Sequence, residues 1–349
     1  MKIINMKHSV CDYTCMWNGL EDVYRERTGN ELPPNFFFGL SAFCSPLYLK
    51  TSKGGVPRAM YFNAGLPKKM YGFMGSKIGF SYSSIENSTF KYALNKAKNQ
   101  IDRNNVLVVG ALDMYHLEYH YKFYHKFHIP IHYILMVGYD DAKKQIYLFD
   151  CGKFDMQILS YENLEKAWNV NVPGLSKKNT LFTFDFENNL NNVKSIFYKS
   201  LKSKVDDNLH LKVNFIGVKA FDKLAKEIGK WNLEVSSAEY KNCLLHLVEY
   251  TGFPPIVPDE CTMPDNNHNG ARFQFSQLLL WGSKMYDEAY LEKAAIKFMK
   301  SGKLIEQLST EILKCVNHTS PISSDIIALI KNIGLTEKKA YEYIENCFK

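Results

Sequence analysis

Ile131-His132-Tyr133-Ile134-Leu135-Met136-Val137-Gly138-Tyr139-Asp140-Asp141 is followed, after Ala142-Lys143-Lys144, by Gln145-Ile146-Tyr147-Leu148-Phe149-Asp150-Cys151-Gly152. The apolar runs His132 to Tyr139 and Gln145 to Phe149, parted by polar Asp140 to Lys144, read as two strands and a hairpin turn. Such a hairpin brings His132, near the start of one strand, beside Asp150 at the end of the next. A carboxylate placed there holds an imidazole's tautomer and orientation and leaves the other ring nitrogen for a nucleophile. Val106 to Leu112 reads as another buried strand. Alone, a strand-edge histidine and a turn aspartate need no chemical explanation. A cysteine far upstream changes their meaning.

That cysteine is Cys11, in Asn5-Met6-Lys7-His8-Ser9-Val10-Cys11-Asp12-Tyr13-Thr14-Cys15-Met16-Trp17-Asn18. Residues 12–27 have helical spacing, with Met16, Leu20 and Val23 on one face, and Pro33-Pro34 closes the segment. The thiolate is the nucleophilic form, and both a helix N-terminus and a nearby imidazolium stabilise it. Cys11 is the candidate nucleophile; Cys15, one turn along the same helix, is its decoy. Asn5 is expected to present a side-chain N–H to an oxyanion, with the Cys11 backbone N–H as second donor. The alternative for Cys11 is a small buried apolar residue. Cysteine, then histidine and aspartate on adjacent strands, is the order of a papain-like thiol enzyme.

Residues 1–187 resemble the N-terminal domain of the butirosin-biosynthesis-H-like acyltransferase family, within the bacteriocin-leader-peptidase-like (C39-like) papain folds. That family shows a cysteine, a threonine three residues on and an asparagine four beyond, here Cys11, Thr14 and Asn18. Its Asp-x-Tyr-x-Leu-x-Tyr-His motif stands as Asp113-Met114-Tyr115-His116-Leu117-Glu118-Tyr119-His120. Asn5 replaces the usual glutamine, and Val10 replaces the histidine often found directly before the cysteine, with His8 two residues further back. Asn267 to Leu280, containing Gly270 and Arg272-Phe273, fits loosely the Gly-rich segment and apolar helix of the family's second domain. The resemblance implies an α+β, papain-like (C39-like) fold with a C-terminal helical domain. It also implies transfer of an acyl group from a carrier-protein thioester to an amine in natural-product assembly. Some relatives are amide synthases of thiotemplated pathways, including polythioamide (closthioamide-type) assembly.

In that chemistry Cys11 attacks the thioester, and His132, oriented by Asp150, deprotonates the incoming amine. The partners are an acyl or peptidyl carrier protein and a small amine. The carrier brings its own phosphopantetheine, and no further cofactor or metal is needed. A cysteine peptidase or amidase with the same triad is one alternative; a catalytically silent natural-product-binding protein is another.

At 349 residues, 46% apolar, the chain can bury a core and form two domains. The polar break Glu187 to Asn192 sets them at 1–187, catalytic, and 192–349, helical and expected to cover the cleft. Helical spacing marks Ser88 to Asp102 and then 192–205, 216–229, 235–250, 271–284, 287–314, 323–332 and 335–347. The glycine-rich stretch 51–85 reads as a loop with short strands and carries no GxGxxG or phosphate-loop motif. Eight cysteines without CxxC spacing, no secretory leader and no bilayer-length apolar run suggest free thiols in the cytoplasm and no membrane span. The net charge of +7 is diffuse, which argues against nucleic acid but suits docking of an acidic carrier. His116, His120, His125, His128 and His132 stand among tyrosines without a clear acidic or cysteine partner at ligand spacing, so a cleft-lining loop is favoured over zinc. Asp113 and Tyr115, opening that loop, are substrate-pocket candidates. So is Arg272, for which a structural ion pair weighs equally.

Overall fold

The computed structural model describes residues 1–349 apart from 11–14, 16, 34, 42–44, 52–55, 63–66, 174, 187–189, 253–267 and 319. Cys11, Thr14 and the first half of the expected polar break lie outside the described residues. The chain is a mixed helix-and-sheet protein with an antiparallel sheet and a helical C-terminal region. It forms two compact units, Met1–Phe38 with Leu66–Ile196, and Gly39–Gly65 with Phe197–Lys349. Residues 39–65, which a linear division puts in the first domain, thus belong to the second unit.

The strands are β1 (Lys2–Ile3), β2 (Leu47–Lys50), β3 (Arg58–Tyr61), β4 (Phe80–Ile85), β5 (Leu107–Leu112), β6 (His132–Asp140), β7 (Gln145–Phe149), β8 (Gln157–Ser160) and β9 (Leu181–Phe186). In the first unit they run β4-β9-β5-β6-β7-β8, each neighbouring pair antiparallel. β1 pairs with β6 at Gly138 and Tyr139, beyond the stretch that β5 covers. β5, β6 and β7 stand where the apolar runs place them, and β5 is buried throughout. The helices of this unit are α1 (Asn18–Thr28), α2 (Phe36–Leu40, at the division), α3 (Pro67–Ile78), α4 (Phe90–Asp102) and α5 (Tyr161–Trp168).

Helix α1 runs Asn18–Thr28 within the expected 12–27 stretch, of which 12–14 and 16 lie outside the described residues. It ends at Gly29, whose φ of 68° is the left-handed region that glycine enters without a Cβ penalty. A Cβ on Gly19 would lie 2.2 Å from Leu135 Cδ2. Its absence lets the first turn of α1 rest on the strand that carries His132. Helix α3 replaces part of the expected 51–85 loop. Gly72 and Gly75 conceal it, each costing about 1 kcal/mol of helix propensity. Burial of Met70, Tyr71, Met74 and Ile78 at helical spacing outweighs that cost.

The chain continues with α6 (Val193–Val205), α7 (Lys219–Glu227), α8 (Trp231–Glu234), α9 (Ser237–Thr251), α10 (Arg272–Tyr286), α11 (Ala289–His318) and α12 (Ser324–Asn346). Phe221, Leu224, Trp231, Leu247, Ile305, Ile312 and Ile330 belong to one buried cluster of the second unit. The two helices expected over 323–347 are the single α12. Gly334 lies within it because a Cβ there would come 2.8 Å from Phe221 Cβ, so the glycine serves packing rather than a break. Among the described residues no helix is long and apolar enough to cross a membrane.

Candidate active site

His132 opens β6. The register pairs Phe149 with Leu135, so Asp150 stands opposite Ile134 and diagonally across from His132 on the same face, within side-chain reach. His132 Nε2 lies 2.6 Å from Asp150 Oδ2, and both residues are buried. On the other edge, Gly110 of β5 stands opposite Tyr133 at φ 152°, where a Cβ would sit 2.6 Å from the His132 carbonyl oxygen. Glycine there permits the close approach that sets the start of β6.

With Nε2 engaged, Nδ1 is the nitrogen left for a thiol. Cys15 is among the groups that act on the His132 imidazole and help to raise its pKa, while Cys11 lies outside the described residues. Cys15 is partly exposed and free of any disulfide. It stands just before α1, where buried Trp17 packs edge-on against Tyr71 and Phe37 at 5.3 and 5.9 Å.

Burial by itself would lower the His132 pKa, but the Asp150 charge and hydrogen bond, with Cys15 adding to them, push it up to about 10. Burial likewise raises Asp150, yet the His132 charge and the hydrogen bonds from His120 and His132 hold its carboxyl well below the usual range. At neutral pH the pair is imidazolium and carboxylate.

Two more donors reach the same carboxylate oxygen. Tyr119 donates its hydroxyl at 2.8 Å, and His120 Nε2 lies at 3.1 Å. Cys151 Sγ lies 3.5 Å from the other oxygen. Burial lowers the His120 imidazole, and Asp150 only partly offsets this, so His120 is neutral and donates from Nε2. Tyr119 and His120 close the Asp-x-Tyr-x-Leu-x-Tyr-His motif. The motif was visible in the sequence, but nothing in its spacing aimed its last two residues at Asp150.

Asp113 and Tyr115 come together at the base of the histidine-rich loop. Asp113 Oδ1 accepts the N–H groups of Tyr115 (3.1 Å) and Ile129 (2.9 Å), and Oδ2 lies 2.6 Å from His128 Nδ1. Tyr115 stacks on His128 with ring centres 4.1 Å apart. These contacts clasp the loop's two ends and do not involve His132 or Asp150. Arg272 sits in the second unit, fully buried, its Nε 2.7 Å and Nη2 3.2 Å from the Glu337 carboxylate. Its Nη1 donates to the carbonyls of Phe62 and Gly270, and the Ser301 hydroxyl donates to Glu337. Arg272 therefore forms the structural ion pair, and its expected substrate role gives way.

Asn5 is exposed. The Ile4 N–H before it bonds the Val137 carbonyl, five residues along β6 from His132, or about 16 Å of strand. His8 holds the position that matters in this segment. Its Nδ1 lies 2.7 Å from Asp22 Oδ2 on α1, and its Nε2 donates to the carbonyls of Lys153 (2.9 Å) and Asp150 (3.2 Å). Its ring stacks on Phe149 at 4.5 Å. A histidine and an aspartate flanking the start of a helix were the available signal.

His120, His132 and Asp150 offer ligand atoms all within 4.8 Å of one another. Two tetrahedral zinc ligands at about 2.0–2.1 Å stand roughly 3.3 Å apart. The 2.6 Å separation of His132 and Asp150 is that of a hydrogen bond, so the cluster is a proton network rather than a preformed metal cage.

A buried imidazole–carboxylate pair, His132 and Asp150, with His120 and Tyr119 on the same carboxylate oxygen, defines the site. Residues 14–151 match the family described as butirosin biosynthesis protein H, N-terminal, and residues 162–251 match a domain of unknown function (DUF4872). The segment 14–151 belongs to the butirosin biosynthesis protein H, N-terminal, family. The first match takes in Cys15, Tyr119, His120, His132 and Asp150 and begins after Cys11. Among curated proteins none matches the chain.

Proposed function

We propose that the chain is a thiol acyltransferase of natural-product assembly, built on a papain-like (C39-like) unit, that moves an acyl group from a carrier-protein thioester to an amine. The observation that carries this reading is the buried Asp150 carboxylate 2.6 Å from the His132 imidazole, which it holds charged with Cys15 adding to the effect. The family match supports the biosynthetic setting.

Cys15, in place of the Cys11 expected from the sequence, attacks the thioester carbonyl as thiolate. The tetrahedral oxyanion collapses, the carrier's phosphopantetheine thiolate leaves, and His132 hands it a proton. The neutral imidazole then takes a proton from the amine as it attacks the acyl-enzyme, and Cys15 departs. Thioester exchange is nearly balanced and amide formation is downhill, so neither ATP nor a metal is required. Asp150 keeps the ring aimed and stabilises its charged form in both steps.

Intact-protein mass spectrometry after exposure to acyl-pantetheine thioesters tests this. The expected result is an adduct on the wild type and on Cys11→Ala, discharged by added amines, and none on Cys15→Ala. An adduct kept by Cys15→Ala and lost in Cys11→Ala moves the nucleophile to Cys11. No adduct with any thioester refutes acyl transfer.

A further inference from the structure

We infer that Tyr119 and His120 are the positioning residues of this site: they anchor the Asp150 carboxylate so that it faces His132. The inference rests on the thiol–imidazole reading above and concerns how that site is held together.

Asp150 follows the last residue of β7, where the strand's backbone hydrogen bonds no longer fix the chain. A carboxylate at that point needs other restraints to keep one orientation. The groups that face it are His132 from β6, Tyr119 and His120 from the histidine-rich loop, and Cys151 beside it. His8 grips its main-chain carbonyl, and Lys153 acts on His120. Of the four side chains, three converge on Oδ2, at 2.6, 2.8 and 3.1 Å. An ionised carboxylate only accepts, so Tyr119 O–H and His120 Nε2–H both donate to it. Each such charge-assisted bond strengthens the anion and narrows its directions.

The loop that supplies both donors is itself fixed. The Asp113 clasp joins its ends, and the His120 N–H bonds the Leu117 carbonyl. Tyr119 and His120 are thereby carried to Asp150 on a closed frame rather than on a free segment. Neither has to touch substrate for this role. Because His120 is neutral and Tyr119 keeps its proton, the network holds a single negative charge beside the single positive charge of His132.

The experiment reads Cys15 alone and needs no knowledge of the substrate. Full-length wild type, Tyr119→Phe, His120→Ala and His120→Gln are treated with iodoacetamide from pH 5 to 9. The alkylation rate at the Cys15 peptide is followed by mass spectrometry, with melting temperatures measured in parallel. Tyr119→Phe and His120→Ala are each expected to slow alkylation at pH 6 about tenfold, the scale of one charge-assisted hydrogen bond. His120→Gln, whose amide N–H replaces the lost donor, is expected to return within about threefold of wild type. Wild-type profiles in both Tyr119→Phe and His120→Ala would overturn the inference. So would His120→Gln behaving like His120→Ala, since that outcome would mean packing alone. A wild-type Cys15 with the pH dependence of an ordinary thiol would overturn the thiol–imidazole reading itself, and this inference with it.

Discussion

Replacing Asp150 by asparagine, in a Cys15→Ala background, turns the buried charge pair into a change in the pH dependence of stability. His132 moves from 6.5 to about 10 because Asp150 more than offsets its burial. At 1.36 kcal/mol per unit this corresponds to about 5 kcal/mol, counted once for the pair. That stability is fully present below the unfolded value of about 6.5 and is lost as pH rises through about 10. Within the window the folded state holds one proton more than the unfolded chain, so stability falls by about 1.4 kcal/mol per pH unit. Asp150 adds no slope there, since it is ionised in both states. Removing the thiol keeps its proton out of the balance and also removes its share of the raised His132 value, so about 5 kcal/mol and the limit of about 10 are ceilings in this background. In Asp150→Asn, burial acts on His132 without an opposing carboxylate, the ring is neutral across the window, and this slope disappears. Urea unfolding between about pH 7.5 and 9.5 should show the gap between the two proteins shrinking by about 2 to 3 kcal/mol. Parallel stability curves would refute the charge pair.

Other outcomes follow from single contacts. Burial pushes Glu21 up to about 7 against the Phe37 N–H and Arg25, so its ionisation costs stability as pH rises from 4.5 through 7. Glu21→Gln keeps an acceptor for Phe37 and should gain about 1–3 kcal/mol at pH 8 and almost nothing at pH 4 by urea unfolding. Glu337→Gln leaves the buried Arg272 charge uncompensated and should cost about 3–5 kcal/mol in chemical denaturation. Gly19→Ala drives a methyl into Leu135 and should cost about 1–3 kcal/mol, with a non-additive double mutant when Leu135→Ala is combined.

Periodicity in the sequence located β5, β6, β7 and most of the C-terminal helices, because apolar spacing reports burial directly. The His132–Asp150 pair was legible for the same reason: two strands and a short turn leave little choice of register. Helix α3 was not, since Gly72 and Gly75 look like loop residues until their neighbours' packing is known. The choice between Cys11 and Cys15 was not legible either. Both precede the same helix, and spacing along the chain does not say which sulfur meets His132. Tyr119 and His120 lay in a recognised motif, yet their partner lies thirty residues downstream, in contacts to Asp150 that no local pattern encodes.

His8 links the helix behind the thiol to the turn behind the acid, by Asp22 on one side and the carbonyls of Asp150 and Lys153 on the other. The first nine residues therefore act as a tie-rod between the two halves of the reaction centre. Their short strand gives no hint of this, and trimming them to tidy the N-terminus would delete no reacting side chain yet would remove the ties between α1 and the turn after Asp150.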